Sequence, residues 1–178
     1  MKEACGSSSR DERLFFALWP DEEVRARLME EARGSSGEPV PPDGYHITLA
    51  FAGEVSVSAR RALEQGAAAV RAGCFVCVLD RMGALGSGVE ALAPSAPAAP
   101  LLALAGDLRR LVTHVAGAAD RRPYYPHVTL ARRVDDARSL RPSLPVVWAA
   151  REYVLCRSRR TRPGSYDILE RWPLYEDL

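Results

Sequence analysis

Six consecutive apolar residues, Leu14-Phe-Phe-Ala-Leu-Trp19, stop at Pro20. A run this short, rich in aromatics and closed by proline, predicts a buried strand rather than a helix. Its phenylalanines alternate faces, so one of Phe15 and Phe16 belongs to the core and the other to the opposite surface. Pro20-Asp-Glu-Glu23 reads as a helix start with acids in the first turn, followed by a modest stripe of Val24, Leu28 and Met29. Residues 34–44 are a Gly/Ser/Pro-rich loop. Tyr45–Phe51 reads as a strand, and Ser56 or Ser58 caps a helix running to about Ala72. Residues 74–81 and 88–93 are short strands. Leu101, Leu104, Leu108, Leu111, Val112 and Val115 recur at helical spacing, which predicts a helix over 99–118. Residues 126–131 and 146–156 read as strands, and Tyr166–Trp172 alternates and pairs back as a hairpin beyond an Arg-rich turn at 157–164.

This order, β-α-β-α-β-β-α-β-β-β, predicts an α+β fold with helices packed outside antiparallel-rich sheet. One segment repeats. His46-Ile-Thr-Leu-Ala50 returns as His127-Val-Thr-Leu-Ala131, 81 residues later, each copy downstream of a predicted helix. The repeat implies two pseudo-symmetric lobes with a cleft between them. Residues 1–12 read as a flexible tail, and 13–178 as one bilobal domain.

Composition narrows the classes. The chain has 178 residues, 47% hydrophobic and 26% charged, enough to bury a core without disulfides or metal. Its formal charge is +1, from 24 basic and 23 acidic residues, which excludes a generally basic nucleic-acid binder and leaves only a local patch for such a partner. No apolar run approaches bilayer length, so no membrane association is expected. The polar, acid-containing N-terminus lacks the apolar region of a secretory signal. A cytoplasmic monomer with its four cysteines as thiols is therefore expected.

Two of the three histidines share the frame H-Φ-T-Φ, Φ being apolar. With this composition a given His meets that frame with probability about 0.005, so two of three by accident is on the order of one in ten thousand. Strand alternation puts His46 and Thr48 on one face and Ile47, Leu49 and Phe51 on the other. His127 and Thr129 behave likewise against Val128 and Leu130. Two imidazoles facing one cleft can divide acid and base work near neutrality, and two hydroxyls can donate to phosphate oxygens. Spacing alone does not say which ring is which.

At these residues the chain resembles the two-histidine phosphoesterase superfamily, and within it the bacterial and archaeal RNA 2′,3′-cyclic phosphodiesterases, also called 2′-5′ RNA ligase-like proteins. The likeness rests on Arg13-Leu-Phe-Phe-Ala-Leu18, His46-Ile-Thr-Leu-Ala-Phe-Ala-Gly-Glu54, Pro126-His-Val-Thr-Leu-Ala-Arg132 and Tyr166…Leu169…Trp172, spanning about residues 13–174. It implies cofactor-free, metal-independent opening of a 2′,3′-cyclic phosphate, on an RNA end or a cyclic nucleotide, to a 2′-phosphomonoester. It implies His46 as acid, His127 as base, and Thr48, Thr129 and Arg132 as the grip on the phosphate. The reverse reaction, with a 5′-hydroxyl in place of water, would join RNA ends 2′-5′. Arg132 lies an odd five residues after His127, so a regular strand turns it away from the cleft. Reaching the phosphate requires a strand end or bulge near Ala131. Relatives often carry an aromatic after Val89; here that position is Glu90.

Other features read more plainly. His114 shares a helix face with Asp107 and Arg110 and is expected to be solvated. Cys74-Phe-Val-Cys77 has no second cysteine pair and its members point to opposite strand faces, against a metal or redox site. Arg157, Arg159, Arg160 and Arg162, and Arg121, Arg122, Arg132 and Arg133, form two basic clusters, either solvated surface or a guide for an RNA backbone. Ser158 reads as a turn residue. A non-catalytic nucleotide-binding module on the same fold is the competing class. A serine hydrolase is disfavoured because no G-x-S-x-G elbow exists.

Overall fold

The structure, a computed structural model, describes residues 12–35, 37–86, 88–117, 122–134, 144–159 and 164–176. The tail expected over 1–12 lies outside these residues except for Glu12, which opens the first strand. Ser87, Arg121, Arg160 and Arg162 also lie outside them.

β1 (Glu12–Leu18) carries the unbroken apolar run because both its faces are covered. Leu14, Phe16 and Leu18 enter the main core, while Phe15 and Ala17 join a smaller cluster with Val154 and Cys156. α1 (Glu22–Ala32) starts where Asp21 accepts a hydrogen bond from the Val24 amide at 2.8 Å. Val24 and Leu28 are buried, but Met29 is exposed, so the expected stripe is narrower by one residue. The loop holds a two-residue strand, β2 (Glu38–Pro39), and a single 3₁₀ turn at Pro42–Gly44. β3 (Ile47–Val55) is longer than expected, and Ser56 caps α2 (Val57–Ala69) through the Ala59 amide at 3.2 Å.

The stretch expected as one strand over 74–81 is two, β4 (Phe75–Leu79) and β5 (Arg81–Ala84), followed by β6 (Val89–Ala93). α3 (Ala99–Ala116) ends at Gly117, whose φ of +64° is open to glycine at little cost. It buries Leu101, Leu104, Ala105, Leu108 and Val112 and packs on β3 and α2. Each such leucine contributes roughly 1.5–3 kcal/mol. β7 (Val128–Arg132) is followed by β8 (Val146–Ala150), β9 (Glu152–Ser158) and β10 (Tyr166–Pro173). The expected strand over 146–156 breaks at Arg151: β8 pairs with β4 in a two-stranded sheet, and β9 joins the main one.

The main sheet runs β10-β9-β1-β3-β7-β6-β5, with β2 at the edge of β7. All its pairings are antiparallel, which bears out the α+β reading. The two lobes meet where β3 and β7, the strands following the two histidines, run side by side.

Candidate active site

β3 and β7 pair antiparallel with Ile47 opposite Val128. Continued one residue each way, that register sets His46 opposite Thr129 and Thr48 opposite His127. Ile47 and Val128 are fully buried and anchor the strands, while the four polar residues are half-buried on the other face. The two frames thus meet at their pseudo-symmetry axis.

Each ring is held in the same way. His46 Nδ1 donates to the Gly44 carbonyl at 2.7 Å, and His127 Nδ1 to the Tyr125 carbonyl at 2.8 Å. A carbonyl only accepts, so Nδ1 carries the proton in both, and Nε2 is the nitrogen left to accept one while the ring is neutral. The Thr48 hydroxyl lies 3.1 Å from His46 Nε2 and donates to it while the ring is neutral. Across the axis the Tyr124 phenol donates to the Thr48 carbonyl at 3.1 Å, tying the approach to the second frame onto the first.

The surroundings of the two rings differ. His46 is caged: Trp19 lies flat against it at 5.7 Å and 7°, Phe15 is tilted at 5.0 Å, and Tyr166 meets it edge-on at 5.0 Å. Burial, with smaller contributions from His127 and Arg132, pushes its pKa down to about 4 against the pull of the Gly44 carbonyl. His127 has Tyr125 stacked at 6.0 Å, itself exposed, and burial and Arg132 lower its pKa as well.

Strand parity turned Arg132 away, and the structure supplies the bulge that brings it back. In the β6–β7 pairing Thr129 faces Ala91 and Ala131 faces Glu90, leaving Leu130 unopposed. Leu130 and Ala131 are both buried, and alternation resumes one step out of phase with Arg132 exposed. Its charge reaches His46, His127 and Tyr166, lowering both imidazoles and opposing the burial that raises the phenol. Glu38, its backbone partner on β2, pairs instead with Arg133 at 2.7 Å.

The same device overturns one expectation. In the β1–β3 pairing Leu49 is unopposed between Thr48 and Ala50. Leu49 and Ala50 are both buried, so Phe51, expected on the core face, is 37% exposed on the histidine side. It stacks on Phe15 at 6.3 Å and carries Arg13 at 4.9 Å over its ring. Of the two alternating phenylalanines, Phe16 is the core residue and Phe15 faces the site. Trp19 and Tyr125 were given no site role by the sequence, and Tyr166 was quoted only for its resemblance; all three line the histidines. The apolar run ending at Trp19, and Tyr125 two residues before His127, were the available hints.

The remaining features divide. Arg157 is engaged by Glu12 at 2.7 Å and Asp167 at 3.0 Å, and Arg159 also pairs with Asp167. Both guanidiniums are thus ion-paired within the chain while remaining partly exposed. His114 is exposed in the last turn of α3. Cys77 is buried, and Cys74 Sγ donates to the Leu174 carbonyl at 3.3 Å. Glu90 accepts a hydrogen bond from Ser35 at 2.8 Å. Among the described residues no three His, Cys, Asp or Glu side chains gather in a metal-binding group, and no helix is long and apolar enough to cross a membrane.

Two imidazoles held by Nδ1, two hydroxyls and a guanidinium around one strand junction are a set suited to a phosphodiester. Residues 20–162 match the family model of the 2′-5′ RNA ligase superfamily. The chain belongs to that family. Among its similar members is the RNA 2′,3′-cyclic phosphodiesterase of Escherichia coli (strain K12), 34% identical over 93% of this chain and 98% of the relative. The enzyme of the same name from Thermus thermophilus is 33% identical over 91% of this chain and 90% of its own. The fold agrees: the crystal structure of Escherichia coli LigT in apo form superposes with a TM-score of 0.86 at 33% identity, covering 94% of this chain and 99% of that one. The same protein has been solved with 3′-AMP (TM-score 0.83, 33% identity, 93% of this chain and 99% of that one).

Proposed function

We propose that this protein opens 2′,3′-cyclic phosphodiesters at RNA ends to 2′-phosphomonoesters, using His46 and His127 as its acid–base pair and no metal. The observation that carries the reading is the Ile47–Val128 register, which brings both Nδ1-anchored imidazoles to one junction. The names of the relatives point to the same substrate class.

The division of labour follows from the surroundings. His127, with only Tyr125 stacked on it, lies on the side open to water; its Nε2 takes a proton from the water whose oxygen attacks phosphorus. As the P–O3′ bond breaks, the O3′ oxygen receives the proton carried by His46 Nε2. The flat Trp19 ring favours the imidazolium that this role requires. Once His46 is protonated its Nε2 no longer accepts, so the Thr48 hydroxyl turns its proton toward a phosphate oxygen. Thr129 mirrors it, and Arg132 balances the charge that grows on the equatorial oxygens. Phe51 offers an exposed ring for a base, on the opposite side of the junction from Glu90. Incubation with an RNA ending in a 2′,3′-cyclic phosphate tests the reading: phosphorus NMR is expected to show the 2′-monoester alone, and a 3′-monoester or an untouched substrate would contradict it.

A further inference from the structure

Behind the wall formed by Trp19 and Tyr166 lies a cavity of about 400 Å³, lined also by Arg25, Asp43, Arg159 and Ser165. Trp19 and Tyr166 are two of the three rings that pack on His46, so the cavity begins one aromatic ring away from the reacting imidazole. None of its polar side chains is used in the chemistry above. Its volume falls in the range of ligand sites rather than of packing defects.

The lining specifies what fits. Asp167 also borders the cavity and is ion-paired with Arg159; the two guanidiniums of the lining, Arg25 and Arg159, are matched in number by the carboxylates of Asp43 and Asp167, so the lining carries no net charge to draw a bare anion. It offers two aromatic walls, a carboxylate acceptor, a hydroxyl and guanidinium donors, which is the complement of a base and its ribose. Arg25 presents its guanidinium at the cavity, with one terminal nitrogen donating to the Pro20 carbonyl at 3.2 Å.

We propose that this cavity holds the nucleoside preceding the cyclic phosphate, so that the protein reads an RNA chain rather than a single nucleotide. The inference rests on the reaction site assigned to His46 and His127. The nucleotide bearing the cyclic phosphate has Phe51 exposed on the reaction face for its base. Trp19, flat on His46, screens the cavity from that nucleotide, and a strand running on past the site reaches it. Asp43 then accepts from a ribose hydroxyl or exocyclic amine, and the Arg25 guanidinium donates to a base or sugar oxygen.

The test compares kcat/KM for adenosine 2′,3′-cyclic phosphate with that for the dinucleotide ApA ending in the same group. The expected preference for the dinucleotide is about tenfold or more, because binding energy from a remote unit is spent at the reacting centre. Arg25→Ala and Asp43→Asn are expected to draw that ratio toward one, while Arg110→Ala, on α3, keeps it. A wild-type ratio near one would overturn the proposal, as would variants that keep the ratio or lower both substrates equally. Calorimetry with the two 2′-phosphate products reads the cavity without turnover. If neither cyclic substrate reacts, the assignment of the reaction fails. Tighter binding of the dinucleotide product, lost in Arg25→Ala, would then still support the cavity, and equal binding of the two products would overturn it.

Discussion

Phe51 and Arg132 stand 81 residues apart and occupy the same place in the two halves of the site, each two residues past an unopposed leucine, Leu49 in β3 and Leu130 in β7. One bulge, used twice, delivers an aromatic ring to one side of the histidine junction and a guanidinium to the other. On the proposed function, the pseudo-symmetric frame supplies the paired acid–base groups, and the break in symmetry supplies a front for a base and a front for a phosphate.

That asymmetry separates the two variants. Arg132→Ala removes a charge aimed at the developing phosphorane and is expected to lower kcat by about 10²-fold, as loss of a preorganised donor does elsewhere. Phe51→Ala removes a stacking surface worth roughly 1–3 kcal/mol and is expected to act mainly on KM. Steady-state kinetics on a cyclic-phosphate RNA checks this, and interchanged effects would mean that the two sides have been assigned the wrong way round.

The resting rings are both shifted toward neutrality of charge, which sets the pH profile. With His46 near a pKa of about 4 and His127 lowered, the free protein holds little of the proton that the leaving oxygen needs. A phosphate anion between the rings favours the imidazolium. Since kcat/KM reports the free protein and kcat the complex, the alkaline limb of kcat is expected at higher pH than that of kcat/KM. Superimposed limbs would show that the bound phosphate does not load the acid.

Stability should carry the same signature. Above pH 6.5 neither the folded nor the unfolded chain protonates His46, and its full contribution is present. Between 6.5 and about 4 the unfolded chain binds a proton that the caged ring refuses, so stability falls as pH falls; below about 4 both states bind it and the loss stops. The shift corresponds to about 3 kcal/mol over the whole window, with about 2 of it lost by pH 5. Urea midpoints at pH 7 and pH 5 are therefore expected to differ less for His46→Gln than for the unsubstituted protein. Parallel losses would place the acid sensitivity elsewhere.

What the sequence made legible follows the physics of repeating patterns. The duplicated frame located His46, Thr48, His127 and Thr129, because strand period alone sets which residues share a face. The long stripe of α3 and the caps Asp21 and Ser56 were legible because their signals are local. The break at Arg151 was not: two strands in different sheets read as one apolar stretch, and only tertiary pairing divides them. The bulges at Leu49 and Leu130 were equally hidden, since a period-two reading carries every residue after an insertion to the wrong face. Phe51 was misplaced for that reason, while Arg132 was reached through the resemblance and then explained by the bulge. The cage of Trp19, Phe15 and Tyr166 draws on β1, the turn after it and β10, which no local pattern joins.

A metal-free imidazole pair makes a sharp demand on turnover of a cyclic-phosphate RNA in excess chelator by the unsubstituted protein, His46→Ala, His127→Ala and the double variant. Undiminished turnover is expected for the first and losses of about 10²–10⁴-fold for each single variant. Because both groups serve one displacement, the double variant is expected to fall far short of the product of the two losses, while His114→Ala retains full activity. Turnover abolished by chelator and restored by added metal, or a single His46 or His127 variant of near-normal rate, would contradict it.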